Sequence, residues 1–372
     1  MDALNRFSVW YADFHGYISL LVCGVGVLCN LFIIIVLTRK NLTTTTNYLL
    51  TALAISDLLT MASYIPYALQ FHCLYGTAKS PQRNSYRWVV FLWFHVNFSL
   101  TTHTASIWFG VLLAAFRFSY VRSTRDGAQI ASQEVRRTRC AVVSVVCLSV
   151  FVLLPNYFTV TIEASTASNE TTVYEVVSTV NSSIAGLNQA VVQMNFWTQA
   201  LIVKLVPCLL MSIFGFLLIR TMMTSHRKRS AILTGSSAQS QRAWQRRHYR
   251  TTAILVAIIV LFLATELPQG TLAICSGLIP DFFENYYVPL GDVMDIAALV
   301  NNGINFGLYC VMSNRFRTTF LEMFCLCGRN DSPVVTVRKD LLYSSRVQTV
   351  SYPCTDGAIS ISYYNYGGRN SF

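Results

Sequence analysis

The sequence predicts an all-α fold, a seven-transmembrane helix bundle with a short amphipathic eighth helix. Of its 372 residues, 53% are hydrophobic and only 12% are charged, whereas a soluble domain carries about 25% charged residues. A bilayer core requires about 20 mainly apolar residues per helix. Seven stretches satisfy that length: residues 17–38, 48–72, 88–120, 140–162, 196–222, 251–276 and 287–312.

Two further segments flank this bundle, which takes up residues 17–312. Residues 1–16 form the N-terminus and residues 313–327 alternate basic and apolar side chains, a pattern typical of a helix lying in the membrane interface. Residues 328–372 are polar and rich in Ser, Thr and Tyr, which predicts a disordered tail. Cys325 and Cys327 are palmitoylation candidates, although ordinary membrane-proximal cysteines are the alternative.

The basic residues predict the orientation of the chain in the membrane. Lys and Arg collect in the connections after spans one, three and five and directly after span seven. The positive-inside rule therefore places the N-terminus outside the cell and the tail in the cytoplasm, in a plasma-membrane protein. Asn169 and Asn181 begin glycosylation sequons in the loop between spans four and five, which this topology makes extracellular. The net charge of +11 follows this distribution and does not indicate nucleic-acid binding.

Several membrane-protein classes fit the chain poorly. Its spans show no inverted hydropathy repeat of the kind that transporters carry, and no nucleophile or metal-ligand motif indicates an enzyme or a cofactor. A light receptor of this fold would need a lysine in span seven, and Tyr287–Met312 contains none. A receptor is favoured, and a channel or transporter is the alternative. Measurements of ion flux and of agonist-dependent nucleotide exchange would discriminate a channel or transporter from a receptor.

Polar residues in spans two and seven predict a polar bundle interior. Asp57 lies in mid-span, where a carboxylate costs on the order of 3 kcal/mol by insertion scales. Candidate partners are Asn301, Asn302 and Asn305 in span seven, and a structural hydrogen-bonded group is the alternative to a functional one. A sodium ion held by Asp57 and Ser106 is a further candidate.

The stretch "LFLATELPQGTLAIC", residues 261–275, places Glu266 in an apolar run. Counting helical rise from the cytoplasmic ends places Glu266 and Lys204 at roughly 24 Å and His103 at roughly 21 Å. In the arrangement that the family resemblance described below implies, the three spans that carry these residues are neighbours around a ligand pocket, so we expect Glu266 and Lys204 to form a charge pair beside His103 at its floor. A cationic or amide end of a peptide would compete for Glu266 and move span six about Pro268. A purely structural ion pair is the alternative.

Three more residues complete the predicted ligand site. Gln269 follows Glu266 by one helical turn. Asp292 and Asp295 lie nearer the outer end of span seven, where either could accept a charge-assisted hydrogen bond from an Arg side chain of a ligand. A solvated acidic rim is the alternative interpretation of these two carboxylates.

A family resemblance rests on motifs in a fixed order. "CNLFIIIV", "LAISD", an arginine ending span three, prolines in spans five and six, and "NFGLY" in span seven resemble rhodopsin-like (class A) G-protein-coupled receptors over residues 17 to about 327. The resemblance implies an agonist, a heterotrimeric G protein and arrestin as partners. It assigns conserved positions to Asn30, Asp57, Arg117, Pro207, Pro268, Asn305 and Tyr309, and a connector that rearranges with agonist to Ile107, Pro207 and Phe262.

Several residues depart from the class A motifs, and these departures indicate a smaller group within that class. Glu266 replaces a usual tryptophan, Phe306 replaces a usual proline, and "FRF" at 116–118 replaces the acidic-Arg-Tyr motif. Neither the start of span three nor residues 163–195 contain cysteine, so the family's usual disulfide cannot form. With "TELPQG", "SYIPYALQ" and "NFGLYCVMSNRFR", these features resemble the invertebrate myosuppressin and FMRFamide-like peptide receptors. That resemblance implies an amidated peptide ending in Arg-Phe-amide or similar, and inhibitory G proteins.

Overall fold

The computed structural model describes residues 2–39, 44–76, 79–122, 130–166, 172–178, 185–230, 238–324, 350–352 and 359–361. The chain divides into two units, Met1–Cys325 and Leu326–Phe372. In the second unit, the described residues are two short antiparallel strands, Val350–Tyr352 and Ile359–Ile361. The rest of the predicted tail lies outside the described residues, as do Asn169, Asn181, Cys325 and Cys327.

The described part of the first unit is dominated by long helices. Six are long and apolar enough on their own to cross a membrane, and a seventh qualifies when Phe283–Val311 and Asn314–Phe324, which meet at 94°, are counted together. This agrees with the predicted bundle and its short eighth helix. The helices are α1 Asp2–Leu37, α2 Thr45–Ala68, α3 Tyr86–Arg122, α4 Ile130–Leu153, α5 Ala185–Thr198, α6 Val206–Ser230, α7 Ala238–Leu278, α8 Val288–Met312 and α9 Asn314–Phe324.

Helix α1 extends well beyond one membrane crossing. Its 36 residues span about 54 Å at 1.5 Å per residue, against a hydrocarbon core of about 30 Å. The predicted N-terminal segment is therefore helical from Asp2 onward and continuous with the first span. Exposed aromatic side chains, among them Trp10 and Tyr17, lie along this part of the helix.

The packing order places α3 at the centre of the bundle. It contacts α2, α4, α6 and α7, while α1 packs against α2 and α8. Helix α4 is the least buried of the spans, and its Val143 and Phe151 are 61% and 72% exposed. Apolar side chains exposed to this extent are expected in a lipid-facing helix, because hydrocarbon tails replace the protein core as their surroundings.

Two short π turns each precede a proline. The turn Gln199–Leu205 joins α5 to α6 just before Pro207, and the turn Phe283–Tyr287 leads into α8 just before Pro289. In both, the residue ahead of the proline donates its N–H to the carbonyl five residues back. Proline lacks an N–H and its ring crowds the carbonyl four residues earlier, so a wider turn relieves that crowding.

The corner between α8 and α9 is built by Ser313. Its backbone is extended (φ −112°, ψ 102°), its N–H donates to the carbonyl of Tyr309, and its hydroxyl accepts from the N–H of Phe316 at 3.3 Å. Ser313 thus ends one helix and caps the next. Phe306, which stands where the family pattern has proline, packs against Phe320 of α9 with ring centroids 5.3 Å apart.

A β-hairpin follows α4 and a short 3₁₀ turn, Leu154–Phe158. Strands β1 Val160–Thr166 and β2 Thr172–Ser178 pair antiparallel. Asn84 fixes the hairpin to the start of α3, because its carbonyl accepts from the N–H of Tyr174 at 2.9 Å and its side chain donates to the Tyr174 carbonyl at 3.1 Å. The sequence interpretation treated this region as a loop and missed both strands.

Candidate ligand-binding site

A cavity of about 420 Å³ opens between α2, α3, the π turn before α6, α7 and α8. Its size lies within the range of small-molecule and peptide-end pockets, roughly 300–1,000 Å³. Aromatic and polar side chains share its walls. The lining residues are Thr60, Tyr64, Tyr67, His95, Val96, Ser99, Leu100, His103, Phe196, Gln199, Ala200, Val203, Lys204, Gln269, Ala273, Phe283, Tyr287, Asp295, Ala298, Leu299 and Asn302.

Three ionisable side chains meet at one end of the cavity, as the depth count predicted. Lys204 Nζ donates to Glu266 Oε2 at 2.6 Å, and His103 Nε2 lies 3.0 Å from Glu266 Oε1. The His103 contact has ion-pair distance but lacks the alignment of a hydrogen bond. Lys204 also donates to Gln269 Oε1. The side chains of Lys204 and His103 are 12% exposed, so the cluster is nearly shielded from solvent.

Gly270 allows this cluster to be compact. A Cβ at this position would lie 3.3 Å from the Cβ of Lys204, closer than an ordinary van der Waals contact. Glycine therefore lets α7 approach the π turn that carries Lys204. The sequence "ELPQG" thus places the carboxylate, the amide and the small residue at positions 266, 269 and 270 of one helix, all against one lysine.

Glu266 itself is withdrawn from the cavity. It is 0% exposed and is not among the cavity-lining residues, whereas His103, Lys204 and Gln269 are. A ligand would meet the lysine, the imidazole and the amide before it met the carboxylate. The predicted charge pair is confirmed as a contact, and its part in ligand binding stays a prediction.

Asp295 also lines the cavity. The hydroxyl of Tyr64 donates to its Oδ2 at 3.3 Å, and His15 Nε2 lies 3.0 Å from the same hydroxyl. Within the described ranges, Asp295 has no lysine, arginine or histidine at ion-pair distance. Asp292 lies one turn earlier in α8 and is not among the lining residues. Of the two predicted acidic residues, Asp295 alone reaches the cavity.

The sequence interpretation missed several cavity residues. Tyr64, Tyr67 and His95 form an aromatic wall in which the rings of Tyr67 and His95 stack with centroids 4.6 Å apart. Gln199 lines the Lys204 end. Aromatic residues at helical spacing are common in any bundle, so only the packing of α2 against α3 singles these out.

A second polar site lies deeper in the bundle, around Asp57. Ser106 donates to Asp57 Oδ1, and Asn305 donates to Oδ2 at 3.1 Å. Asn30 ties α1 to α8 by donating to the Asn302 carbonyl at 3.1 Å. Of the three asparagines predicted to partner Asp57, only Asn305 contacts it.

The structure tests only in part the prediction that a cation binds at Asp57. Asp57 and Ser106 supply oxygen atoms, which hard cations prefer, but both carboxyl oxygens already accept hydrogen bonds. A cation would need further oxygen ligands, and in the described part of the chain no group of three or more His, Cys, Asp or Glu side chains is arranged to hold a metal. Sodium at Asp57 and Ser106 stays a prediction.

The remaining residues that were predicted to act as activation switches do not line the cavity. Ile107 and Phe262 belong to one buried cluster with Cys208, next to the buried Pro207. Helix α7 continues through Pro268 to Leu278. Arg117 lies in the last turns of α3, and Tyr309, which is 4% exposed, packs against Phe316 of α9 with ring centroids 5.6 Å apart.

The bundle, its membrane-length helices and its internal polar cavity define a seven-helix membrane receptor. The chain belongs to the family described as serpentine type 7TM GPCR chemoreceptor Srw, whose model matches residues 17–327. It is therefore a multi-pass membrane protein of the G-protein-coupled receptor class, a signalling receptor and not an enzyme.

Individual proteins resemble the chain over most of its length. It is 29% identical to the G-protein coupled receptor dmsr-1 of Caenorhabditis elegans, covering 92% of this chain and 75% of that protein. It is 26% identical to the sex peptide receptor of Drosophila melanogaster, covering 86% and 74%. Squid rhodopsin shares the fold, with a TM-score of 0.62 and 16% identity, over 86% of this chain and 88% of that structure.

Proposed function

We propose that this chain is a plasma-membrane receptor for an extracellular amidated neuropeptide of the FMRFamide-like or myosuppressin-like class, with its N-terminus outside the cell. One observation carries the proposal. The lining of the cavity combines a carboxylate that has no cation at ion-pair distance among the described residues, Asp295, with hydrogen-bond donors from Lys204 and Gln269. A short cationic peptide with a neutral amide end has the complementary chemistry, because its guanidinium pairs with Asp295 and its amide meets the donors.

Relatives support a peptide as the agonist. The sex peptide receptor of Drosophila melanogaster and the sex peptide receptor-related protein 2 of Caenorhabditis elegans are 26% and 28% identical to this chain. The FMRFamide-like specificity rests on the motif resemblance and on the charge pattern of the cavity.

Signalling would proceed through a heterotrimeric G protein of the inhibitory class. In this proposal, the peptide acts on His103, Lys204, Glu266 and Gln269 and shifts α7 about Pro268. The shift passes through the Ile107, Pro207 and Phe262 contact to Arg117 and Tyr309. Asn30, Asp57 and Asn305 hold the polar core in which this rearrangement occurs. Arrestin binding, glycosylation at Asn169 and Asn181, and palmitoylation at Cys325 and Cys327 complete the proposal.

The experiment that tests this function is a peptide screen. Cells expressing the full chain are exposed to a panel of amidated invertebrate neuropeptides, and activation is recorded separately for each class of Gα subunit. We expect at least one peptide ending in Arg-Phe-amide to activate an inhibitory Gα. Silence across the amidated panel, with surface expression verified by an N-terminal epitope, would contradict the proposal.

A matched variant separates binding from signalling. Arg117→Ala changes a side chain at the α9 end of α3, far along the helix from His103, which lies 14 residues earlier. We expect this variant to bind the active peptide while losing G-protein activation. Loss of peptide binding in Arg117→Ala would show instead that its effect on signalling arises from the fold.

A further inference from the structure

We propose that Gln199 and Gln269 form a subsite that binds a primary carboxamide group of the peptide, with Asn156 as the residue that positions Gln199. This inference rests on the proposed receptor function and adds which chemical group of the peptide binds beside Lys204. Neither Gln199 nor Asn156 stands out in the sequence, because isolated amides in apolar spans are usually structural.

A chain of amides fixes the orientation of Gln199. It begins at the backbone carbonyl of Trp93, which can only accept, so the Nδ2 of Asn97 donates to it at 2.8 Å. The Oδ1 of Asn97 must then accept, and it receives the Nδ2 of Asn156 at 2.7 Å. This leaves Asn156 Oδ1 as an acceptor for Gln199 Nε2 at 2.8 Å. Each bond sets the direction of the next.

This chain of hydrogen bonds leaves the side-chain oxygen of Gln199 as an acceptor facing the cavity. One N–H of the Gln199 Nε2 donates to Asn156 and fixes the orientation of the amide, and across the described residues its Oε1 accepts no hydrogen bond. Because Gln199 lines the cavity, that oxygen is an acceptor available to a ligand. A ligand N–H group satisfies it, whereas a second oxygen would be repelled.

Gln269 has the opposite orientation. The Lys204 ammonium can only donate, so the Oε1 of Gln269 faces it and accepts. The amide Nε2 of Gln269 is left pointing elsewhere, with no acceptor in the described part of the chain, and Gln269 also lines the cavity. Gln269 therefore offers N–H donors where Gln199 offers an oxygen.

The π turn helps to bring Gln199 towards Lys204. Gln199 and Lys204 are five residues apart in the turn Gln199–Leu205. In an α-helix, residues five apart point about 140° away from each other, whereas the wider π turn, closed by i to i+5 bonds, turns them closer to a common face. Gln199 and Lys204 both line the cavity, and Lys204 holds Gln269, which lines it too.

A donor beside an acceptor matches a primary carboxamide and discriminates against a carboxylate. The carboxamide oxygen accepts from Gln269 and its NH₂ donates to Gln199. A carboxylate would place a second acceptor against the Oε1 of Gln199. Its negative charge would also gain little from Lys204, because Glu266 already pairs with that ammonium at 2.6 Å. Sites built on paired hydrogen bonds reject ligands that leave a buried polar group unmatched.

The experiment compares matched peptides on the full-length receptor. The probes are Phe-Met-Arg-Phe-amide and its free acid, and a third peptide, Phe-Met-Arg-Gln as the free acid, supplies the carboxamide from a side chain. We expect the amide to bind the wild-type receptor about 10- to 100-fold more tightly than the free acid of the same sequence. Recovery of affinity with the glutamine peptide would assign the subsite to a side-chain carboxamide, and its absence would assign it to the amidated terminus.

Two substitutions separate the donor from the acceptor. Gln199→Met removes the acceptor together with the N–H that Asn156 holds, so we expect the amide to lose about 10-fold or more in affinity while the acid loses none. Gln269→Met removes the donor to a carbonyl oxygen that both peptides carry, so both should weaken together. A Gln199→Met receptor that keeps the wild-type ratio of amide to acid affinity contradicts the subsite.

The proposed positioning role of Asn156 has a matched control in Asn195. Asn156→Ala frees the Gln199 amide to rotate, and we expect the ratio of amide to acid affinity to fall. Asn195 donates to the same Asn156 oxygen at 2.9 Å without lining the cavity, so Asn195→Ala should leave the ratio unchanged even where it lowers expression. A purely structural Asn156 would lower expression and leave the ratio alone.

The outcome is separable from the test of the receptor function. A wild-type receptor that binds an active amidated peptide and its free acid equally overturns the carboxamide subsite and leaves the receptor function standing. Silence to every peptide in the panel overturns both.

Discussion

Glu266 and Asp295 are two carboxyl groups, one buried beside the cavity and one in its lining, and their surroundings differ. Glu266 is fully buried, contacts Lys204 at 2.6 Å and His103 at 3.0 Å, and does not line the cavity. Asp295 lines the cavity and receives one hydrogen bond, from Tyr64 at 3.3 Å. A carboxylate matched within the protein holds helices together, whereas a carboxylate left without a cation is available to a ligand.

The largest effect is expected from breaking the matched charge. Glu266→Ala leaves the Lys204 ammonium buried without its partner, which typically costs about 3–5 kcal/mol. We expect a large fall in the thermal unfolding midpoint of the purified receptor and in surface expression. A Glu266→Ala receptor as stable as the wild type would show that the pair is not a fixed part of the fold.

Two double variants control this result. Glu266→Met with Lys204→Met removes both charges and should recover most of the lost stability, because buried ion pairs are often near neutral against apolar replacements. Glu266→Lys with Lys204→Glu restores the pair in reverse and should recover both expression and signalling. Failure of both double variants would remove the pairing interpretation.

The unmatched carboxylate should behave in the opposite way. Asp295→Asn leaves no cation stranded, so the receptor should fold and reach the surface normally. Loss of a charge-assisted hydrogen bond, worth about 1.5–3 kcal/mol, should weaken an arginine-containing agonist roughly 10- to 150-fold. A peptide with citrulline in place of arginine should lose little between wild type and variant.

Asp292→Asn is the matched control for Asp295. It removes a carboxylate of the same helix, one turn away, that does not line the cavity. We expect agonist potency to change much less than in Asp295→Asn. Equal losses in the two variants would indicate a general electrostatic attraction at the outer rim, not a contact inside the cavity.

Asp57 is an intermediate case, buried like Glu266 but held by neutral donors. Exchanging Asp57 and Asn305, as Asp57→Asn with Asn305→Asp, keeps one carboxyl and one amide in contact. Each single variant should lose roughly 1.5 kcal/mol of stability, the scale of one hydrogen bond, and the exchanged pair should recover part of it in thermal unfolding. A double variant worse than either single one would show that the position of the carboxyl matters, as a bound cation would require.

The sequence predicted contacts that depend only on depth. Lys204, Glu266 and His103 are brought together because helical rise places them at one level on neighbouring spans, and the Asp57–Asn305 contact follows from the polar pattern of spans two and seven. These predictions use only the rise along each span, and the predicted contacts form although Lys204 lies inside a π turn.

Contacts that depend on rotation about a helix could not be predicted. The π turn Gln199–Leu205 changes which side of the span faces the bundle, so Gln199 could not be placed beside Lys204 by counting α-helical turns. Asn156 lies in a 3₁₀ turn after α4, and its orientation follows from Asn97 and Trp93 on another helix. The attachment of the β1–β2 hairpin to Asn84 could not be predicted either, because it joins segments about 90 residues apart in the sequence.

The smallest effect is expected at an ion pair on the surface of the hairpin. Lys79 Nζ donates to Glu175 Oε2 at 2.8 Å, with side chains 62% and 27% exposed, and this bond holds the pKa of the Glu175 carboxyl below its ordinary value of 4.5. Because the pKa is lower in the folded state, the pair stabilises the hairpin fully above about pH 4.5 and loses its effect as the pH falls through the folded pKa.

Solvent screening keeps that contribution small, about 0.2–1 kcal/mol. Lys79→Ala should therefore lower hydrogen-exchange protection of the Tyr174 amide, which bonds to Asn84, by a factor of about 5 or less near neutral pH. The difference from wild type should vanish in acid and shrink in high salt. A Lys79→Ala effect as large as that of Glu266→Ala would mean that burial does not separate the two ion pairs, and the distinction between matched and exposed charges would fail at this position.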